Sequence, residues 1–394
     1  GGDFMKIVII GSSAAAISAA ETLRKLNPDI KITMISSDDR LPYYRPMLSH
    51  MIGESEYPAN FYLKTKEYFQ EKNISIILNT KVIGIDKDKK IVTTENNASY
   101  EYDKLILCTG SNNFVPPLEG TDKKGVYTIK YASDIENINK SLDKVKKVVI
   151  IGGGLLGIEA AWSLLHKNID VSIVEFSDRL MPRQLDVKAS KLVLESATKS
   201  GIKFYLGESS KAILGEETVK GVELSSKKIL DADMVIISVG VRANLDLPKG
   251  CRIDCDRGIM VTKNLKTCDE DIYAAGDNVQ IGNSTYGIWP AAMQMGKIAA
   301  ANVLGDNKEF EGFIPATILK GLEIGVYSAG DIEDKEGRTY EIVEDSNDYK
   351  KLVFENDILV GGLLIGETKL SSKIYSALTQ KKTKSQIIDE NWFV

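Results

Sequence analysis

Two glycine-bearing turns and a change of pattern near Phe310 predict the fold class. Each turn lies between a short apolar run and a stretch with helical spacing. The class is α/β: two dinucleotide-binding βαβ units, then a C-terminal α+β domain. The first turn is Gly11-Ser12-Ser13-Ala14-Ala15-Ala16, after the run Lys6 to Ile10. The second is Gly152-Gly153-Gly154-Leu155-Leu156-Gly157, after the run Val148 to Ile151.

The chain has 394 residues, 43% hydrophobic and 27% charged, as expected of two or three globular domains. A net charge of −5 predicts no general affinity for nucleic acid or an anionic membrane. No apolar run is long enough for a spanning helix and no signal-peptide pattern is present, so a cytoplasmic chain is expected. The two histidines, His50 and His166, and the four cysteines, Cys108, Cys251, Cys255 and Cys268, lack zinc spacing. No metal site is expected.

In chain order, 6–10 read as a strand, 14–26 as a helix and 31–35 as a second strand. Residues 74–78 and 82–85 read as short strands, and 89–102 as a hairpin turning at Asn96-Asn97. The run 105–108 reads as a buried strand ending at Gly110, and Pro116-Pro117 as a crossover. A second βαβ unit spans 148–174, with its helix at about 155–167. The strand 234–239 ends at Gly240, as the earlier one ends at Gly110, so the chain reads as a duplication with one half inserted into the other. A strand at 271–275 precedes a helix at about 290–304. Runs at 323–328, 340–343, 351–354 and 358–365, with a helix near 370–379, make the α+β domain. The boundaries are 5–115 with 245–310, then 116–244, then 311–394.

In such a turn the first glycine permits the bend, the second admits the pyrophosphate and the third lets helix and strand approach. The helix N-terminus offers free N–H groups to the phosphates. Gly152, Gly154 and Gly157 meet all three needs, and Leu155 and Leu156 open the helix. Glu175 ends the next strand, where a carboxylate accepts from a ribose 2′-OH and repels a 2′-phosphate, so NADH is expected over NADPH. Arg179 and Arg183 follow and soften that preference. The first turn keeps Gly11 but has Ser13 and Ala16 at the other two positions. Its ribose ligand is either Ser36 or Asp38, at the end of the second strand.

Five motifs in order carry a family resemblance over about residues 5–310. They are Tyr44-Arg45-Pro46 with the following Leu48-Ser49, Cys108-Thr109-Gly110-Ser111, Gly152–Gly157 with Glu159, Ser238-Val239-Gly240, and the Gly276-Asp277 motif. On these the chain resembles the FAD-dependent pyridine nucleotide–disulfide oxidoreductase superfamily. It is most similar to the branch of rubredoxin and ferredoxin reductases, NADH:rubredoxin oxidoreductases above all. The resemblance implies two Rossmann-like domains of glutathione-reductase type, with FAD at the first turn and NADH at the second. It implies FAD contacts at Gly11, Ser13, Ala14, Ala15, Ser36 or Asp38, Arg45, Pro46 and Val82. Further ones fall at Cys108–Gly110, Gly276, Asp277, Trp289 and Pro290. Asp277 is implied at the ribityl chain, and the helix opened by Trp289-Pro290 at the flavin edge. Val239 and Gly240 are implied on the NADH side.

Relatives with a thiol relay carry one or two cysteines soon after the second strand, and none stands before Cys108 here. The resemblance therefore implies hydride transfer to flavin and electrons leaving it directly. Glu159, His50 and Lys320 are the implied catalytic residues: Glu159 to position nicotinamide, His50 where the branch often has Lys, and Lys320 to dock a carrier. Lys381-Lys382-Thr383-Lys384 is a second basic cluster, read first as a solvated face. Rubredoxin or a similar small acidic redox protein is the expected partner, and a monomer is expected. The alternatives are an NADH oxidase, a reductase component of a nitrite reductase system, and an NADH-sensing flavoprotein of the apoptosis-inducing-factor type.

Overall fold

The computed structural model describes residues 4–319, 321–345, 348–390 and 392, and every count or absence below refers to these. The chain folds into two compact units. The first takes the chain up to Leu48, then Glu56–Asn113 and Val241–Phe313. The second takes Ser49–Ser55, Phe114–Gly240 and the chain from Ile314 onward.

The first unit is built on a five-stranded parallel sheet in the order Ile272–Ala274, Lys104–Leu107, Lys6–Ile10, Lys31–Ile35, Ile74–Ile77. These strands are near-continuous apolar runs, as both faces of a parallel sheet demand. The helix Ala14–Leu26 follows the first strand and buries Ala14, Ala15, Ala16, Ile17, Ala19, Ala20 and Leu23. Its C-terminal turn is closed by Arg24, whose guanidinium donates to the carbonyls of Lys72, Pro28, Ile30 and Asn73. The helix Trp289–Val303 packs against it through small residues. A Cβ at Gly296 would lie 2.2 Å from the carbonyl oxygen of Ala15, so the helices touch backbone to backbone. The expected hairpin is present as Ile91–Thr94 and Ser99–Glu101, turning at Asn97 with φ +62, and the expected strand Val82–Asp86 pairs antiparallel with Ile91–Thr94. Ser111–Asn113 pairs antiparallel with Val241–Ala243, so the segments leaving and re-entering this unit are stitched together.

The second unit repeats the plan. Its parallel sheet runs Lys203–Leu206, Asp170–Glu175, Lys147–Ile151, Met234–Ile237, Val126–Tyr127. The helix Leu155–Leu165 connects the central strand to Asp170–Glu175, as the duplication predicts. The helix Val187–Lys199 and the antiparallel strands Ser210–Leu214, Gly221–Leu224 and Ile229–Asp231 follow, none of them expected from the sequence pattern.

From Ala316 an antiparallel sheet forms in the order Ala316–Leu319, Val326–Gly330, Ile358–Ile365, Tyr349–Glu355, Arg338–Glu344. The helix Ser371–Thr379 covers it with Ile374, Ala377 and Leu378. The short helix Lys384–Asp389, also unforeseen, starts with a capping box between Thr383 and Gln386. No helix is long and apolar enough to cross a membrane.

The contact at Gly296 yields a stability prediction. Gly296→Ala should destabilise the first unit by about 1–3 kcal/mol by forcing the helices apart. The check is a lower urea midpoint with an unchanged slope.

Candidate functional site

In the first unit the turn after Lys6–Ile10 has room for no side chain at Gly11. Its φ is +120, and a Cβ would lie 2.1 Å from the carbonyl oxygen of Cys108. Ser13 caps the helix with extended backbone and no side-chain cap bond, and no acidic residue occupies the first turn. The helix N-terminus is thus left to an anion. Ala14 and Ala15 are buried, and Ala15 lies where a Cβ at Gly276 would come within 3.1 Å of its methyl.

The two ribose candidates are already engaged. The Ser36 hydroxyl shares a 2.7 Å hydrogen bond with that of Ser12 and accepts the amide of Asp38 at 3.1 Å. Asp38 is buried and accepts from the Tyr43 hydroxyl at 2.8 Å and from Arg45 at 3.2 Å. Burial pushes its carboxyl above the usual range, against the lowering effect of Tyr43 and Arg45. Pro46 is exposed beside Arg45, and Val82 is buried at the head of its strand.

The turn Cys108-Thr109-Gly110 is tied to Gly276-Asp277-Asn278. Asn278 donates to the Leu107 carbonyl at 2.9 Å and to the Thr109 hydroxyl at 3.0 Å, and Thr109 donates to the Asn244 carbonyl at 3.2 Å. The Oδ1 of Asn278 is buried without a hydrogen-bond partner. Ser111 donates to Asp277 at 3.4 Å. A Cβ at Gly110 would meet nothing within 4 Å, so open space lies above this turn. Tyr44 meets Trp289 edge-on at 5.1 Å between centroids, and Pro290 stands in the first turn of the helix. Cys108 is fully buried and its thiol is pushed far up by desolvation, so it stays protonated.

In the second unit Gly152 has φ +117, and a Cβ there would lie 2.0 Å from the Ser238 carbonyl oxygen. A Cβ at Gly157 would lie 2.2 Å from the carbonyl oxygen of Gly152. Both glycines are demanded by the protein's own backbone. Gly154, the helix N-cap, faces open space, so its missing side chain matters only to something that approaches from outside. Leu155 and Leu156 are half-buried in the first turn, while Val239 and Gly240 are exposed after Met234–Ile237. Glu175 accepts the amide of Gly153 at 2.6 Å and that of Ser177 at 2.8 Å, so its carboxylate is held at the turn itself.

Glu159 lies one turn into the same helix. Its carboxylate accepts from the buried Ser49 hydroxyl at 2.9 Å and stands 3.7 Å from His50 Nε2. Asn139 fixes the Ser49–Ser55 segment: it accepts the amide of Gly53 at 2.7 Å and donates to the carbonyls of Met51 and Glu54 at 3.1 Å. The sequence places Ser49 in a motif without its partner Glu159, and gives no sign of Asn139; both act from elements distant in sequence. Asn278 was missed too, although that residue directly follows Gly276-Asp277. Lys320 lies outside the described residues. Lys382 pairs with Glu390 and Lys384 with Glu341, each at 2.6 Å, which neutralises much of that basic cluster. No group of three or more His, Cys, Asp or Glu is arranged to hold a metal among the described residues.

Each unit thus has its own glycine turn, at the head of a parallel sheet and delivering a helix N-terminus. This is the architecture of a protein built on two dinucleotide-binding folds. A family model described as pyridine nucleotide-disulphide oxidoreductase matches residues 5–296, and one described as rubredoxin NAD+ reductase C-terminal domain matches 315–382. The nitrite reductase (NAD(P)H) of Bacillus subtilis is 31% identical over 385 residues, 97% of this chain and 48% of that protein. This chain therefore spans about half the length of that relative. The NADH oxidase of Methanocaldococcus jannaschii is 34% identical over 339 residues, covering 82% of this chain and 75% of the oxidase. The solved NADH:rubredoxin oxidoreductase of Clostridium acetobutylicum superposes with a TM-score of 0.81 at 27% identity, over 98% of this chain and 100% of that one. The chain belongs to the pyridine nucleotide–disulphide oxidoreductase family.

All four cysteines are free thiols. Exposed Cys268 should react first with an aromatic disulfide reagent at pH 8. Cys251 and Cys255, whose thiols are also raised by burial, should follow. Cys108 should stay unlabelled until denaturant is added; four rapid equivalents in the native protein would contradict its assigned burial.

Proposed function

We propose that the chain is an NADH-dependent FAD flavoprotein that reduces a small acidic one-electron carrier of the rubredoxin kind. In this reading 5–115 with 245–310 holds FAD, 116–244 holds NADH, and 311–394 completes the carrier site, the protein acting as a monomer. The observation that carries it is the pairing of two open glycine turns with a C-terminal segment that matches the rubredoxin reductase model.

The residues present fit both groups. For FAD, the first helix N-terminus has no acidic residue, the space above Gly110 is open, and the Asn278 carbonyl oxygen awaits a donor. For NADH, Gly154 leaves the pyrophosphate approach clear and Glu175 stands beside the turn. The chemistry supplied by the bound pair is two-electron hydride transfer from nicotinamide to flavin, then delivery of single electrons.

The chain's own part is to bind and orient. Ser13 and Ala14 would present amides to the FAD pyrophosphate, and Asp277, bonded by Ser111, would meet the ribityl chain. The Gly11 amide is spent on the Ile35 carbonyl at 2.8 Å, so Gly11 serves by letting the turn close. Trp289 and Pro290 open a helix whose N-terminus would face the flavin edge, where its partial positive charge would favour an anion. Ser49 and His50 hold Glu159 in one rotamer, so its carboxylate meets the nicotinamide side in a fixed position. Cys108, protonated and buried, takes no part in thiol chemistry. The identity of 34% to an NADH oxidase favours one second reading, in which the same machinery passes electrons to dioxygen.

Two measurements test this. NADH oxidation with rubredoxin, ferredoxin, dioxygen and ferricyanide as acceptors should give the highest kcat/KM with rubredoxin. No advantage over ferricyanide removes the carrier assignment, and a dioxygen rate equal to the rubredoxin rate favours the oxidase. Glu175→Ala should raise KM for NADH about tenfold, the loss of a charged hydrogen bond, and that for NADPH much less. Equal losses would remove Glu175 from ribose selection.

A further inference from the structure

Lys351 is only 3% exposed, in the strand Tyr349–Glu355 of the C-terminal sheet. Its ammonium donates to Asp186 at 3.1 Å and to Asp334 at 2.8 Å, and stands over the Tyr340 ring at 4.9 Å from its centroid. The Tyr349 hydroxyl adds a 2.7 Å hydrogen bond to the same Asp186 oxygen. The other Asp186 oxygen accepts the Ala189 amide at 2.9 Å and caps the helix Val187–Lys199. A buried cation is tolerated only when paired and fully hydrogen-bonded, so this cluster holds its members tightly.

Asp186 ends the turn that starts directly after Glu175, and the turn is wired from end to end. Ser177 donates to Glu175, and its carbonyl accepts from Gly207 at 2.9 Å. The Met181 amide donates to the Gly153 carbonyl at 3.4 Å, inside the glycine turn. Met181 is 1% exposed with φ +47, a strained conformation for a side-chain-bearing residue that persists only where its surroundings impose it. The amides of Gln184 and Leu185 donate to the Met181 carbonyl at 3.0 and 2.9 Å. The Gln184 carbonyl accepts from Ser328, again in the C-terminal sheet. Two anchors of that sheet, at Gln184 and Asp186, thus fix the far end of a strained turn whose middle touches Gly153.

We propose that Lys351 is a positioning residue for the pyridine nucleotide: it clamps Asp186 and, through Met181, holds Gly153 and Glu175 in the geometry that receives the adenosine ribose. The C-terminal domain in this way tunes nucleotide affinity without touching the nucleotide. The inference rests on the second unit binding NADH, as read above.

The test is Lys351→Met in the FAD-loaded full chain, read two ways. Calorimetry gives Kd for ADP-ribose, which needs no turnover, and ferricyanide reduction gives KM and kcat for NADH. Both Kd and KM should rise about fivefold with kcat within about twofold, the signature of lost ground-state binding. Asp334→Asn removes the exposed partner only and should leave Kd unchanged. A lower Tm with unchanged Kd makes the cluster a docking contact and overturns the proposal. If Lys351→Met fails to fold, Tyr349→Phe removes one donor to Asp186 without stranding a charge; an unchanged Kd there also overturns it. Wild-type chain that binds ADP-ribose but oxidises no NADH refutes the functional reading while the Kd comparison still decides the clamp. Wild-type chain that does not bind ADP-ribose overturns both.

Discussion

The structure depends on one steric constraint, met twice: a turn that passes within touching distance of the carbonyl ending the neighbouring parallel strand. At Gly11 that carbonyl belongs to Cys108, at Gly152 to Ser238, and a Cβ would fall 2.1 and 2.0 Å from the oxygens. Only glycine permits this approach at φ near +120. The sheet order follows, because the strand carrying the carbonyl must sit beside the one that leads into the turn. The aim of each helix N-terminus at the head of its sheet follows as well.

The halves diverge beyond that shared glycine. In the second, Gly157 brings the helix down onto the carbonyl of its own turn. In the first, Ala16 occupies that place, and the tight approach moves to Gly296 on a partner helix, against the Ala15 carbonyl. The glycine missing from the first turn is thus paralleled by one almost three hundred residues away. The second half spends its polar groups locally, with Glu175 closing on Gly153 and Ser177. The first ties Asn278, Thr109 and Asn244 across three separate segments.

Much of the fold was legible because parallel strands write themselves as apolar runs. Lys6–Ile10, Lys147–Ile151 and Met234–Ile237 stand out for that reason. The helix Val187–Lys199 did not, since it buries mainly Ala189, Ser190, Val193 and Ala197, small or polar residues that form no apolar run. The strands from Ser210 to Asp231 are short, with one charged residue in each, so none forms an apolar run. At the site, the glycines and Glu175 were readable from spacing, whereas Ser36 and Asp38 remained alternatives. The structure shows both engaged, one with Ser12 and the other with Tyr43 and Arg45.

By itself the sequence determined the class of the chain, its duplication, both turns, and the lack of any cysteine before Cys108. These are local facts, in which a residue type at a fixed offset from a strand decides the outcome. Only the tertiary structure decided which partners those residues meet. It put Ser49 and His50 on Glu159, gave Asn278 an unmet carbonyl, and set a buried lysine of the last sheet on the cap of a helix beside the second turn. Hydrogen bonds and buried charges act over about 3 Å whatever the separation along the chain, so spacing in sequence carries no trace of them until the sheets bring the segments together.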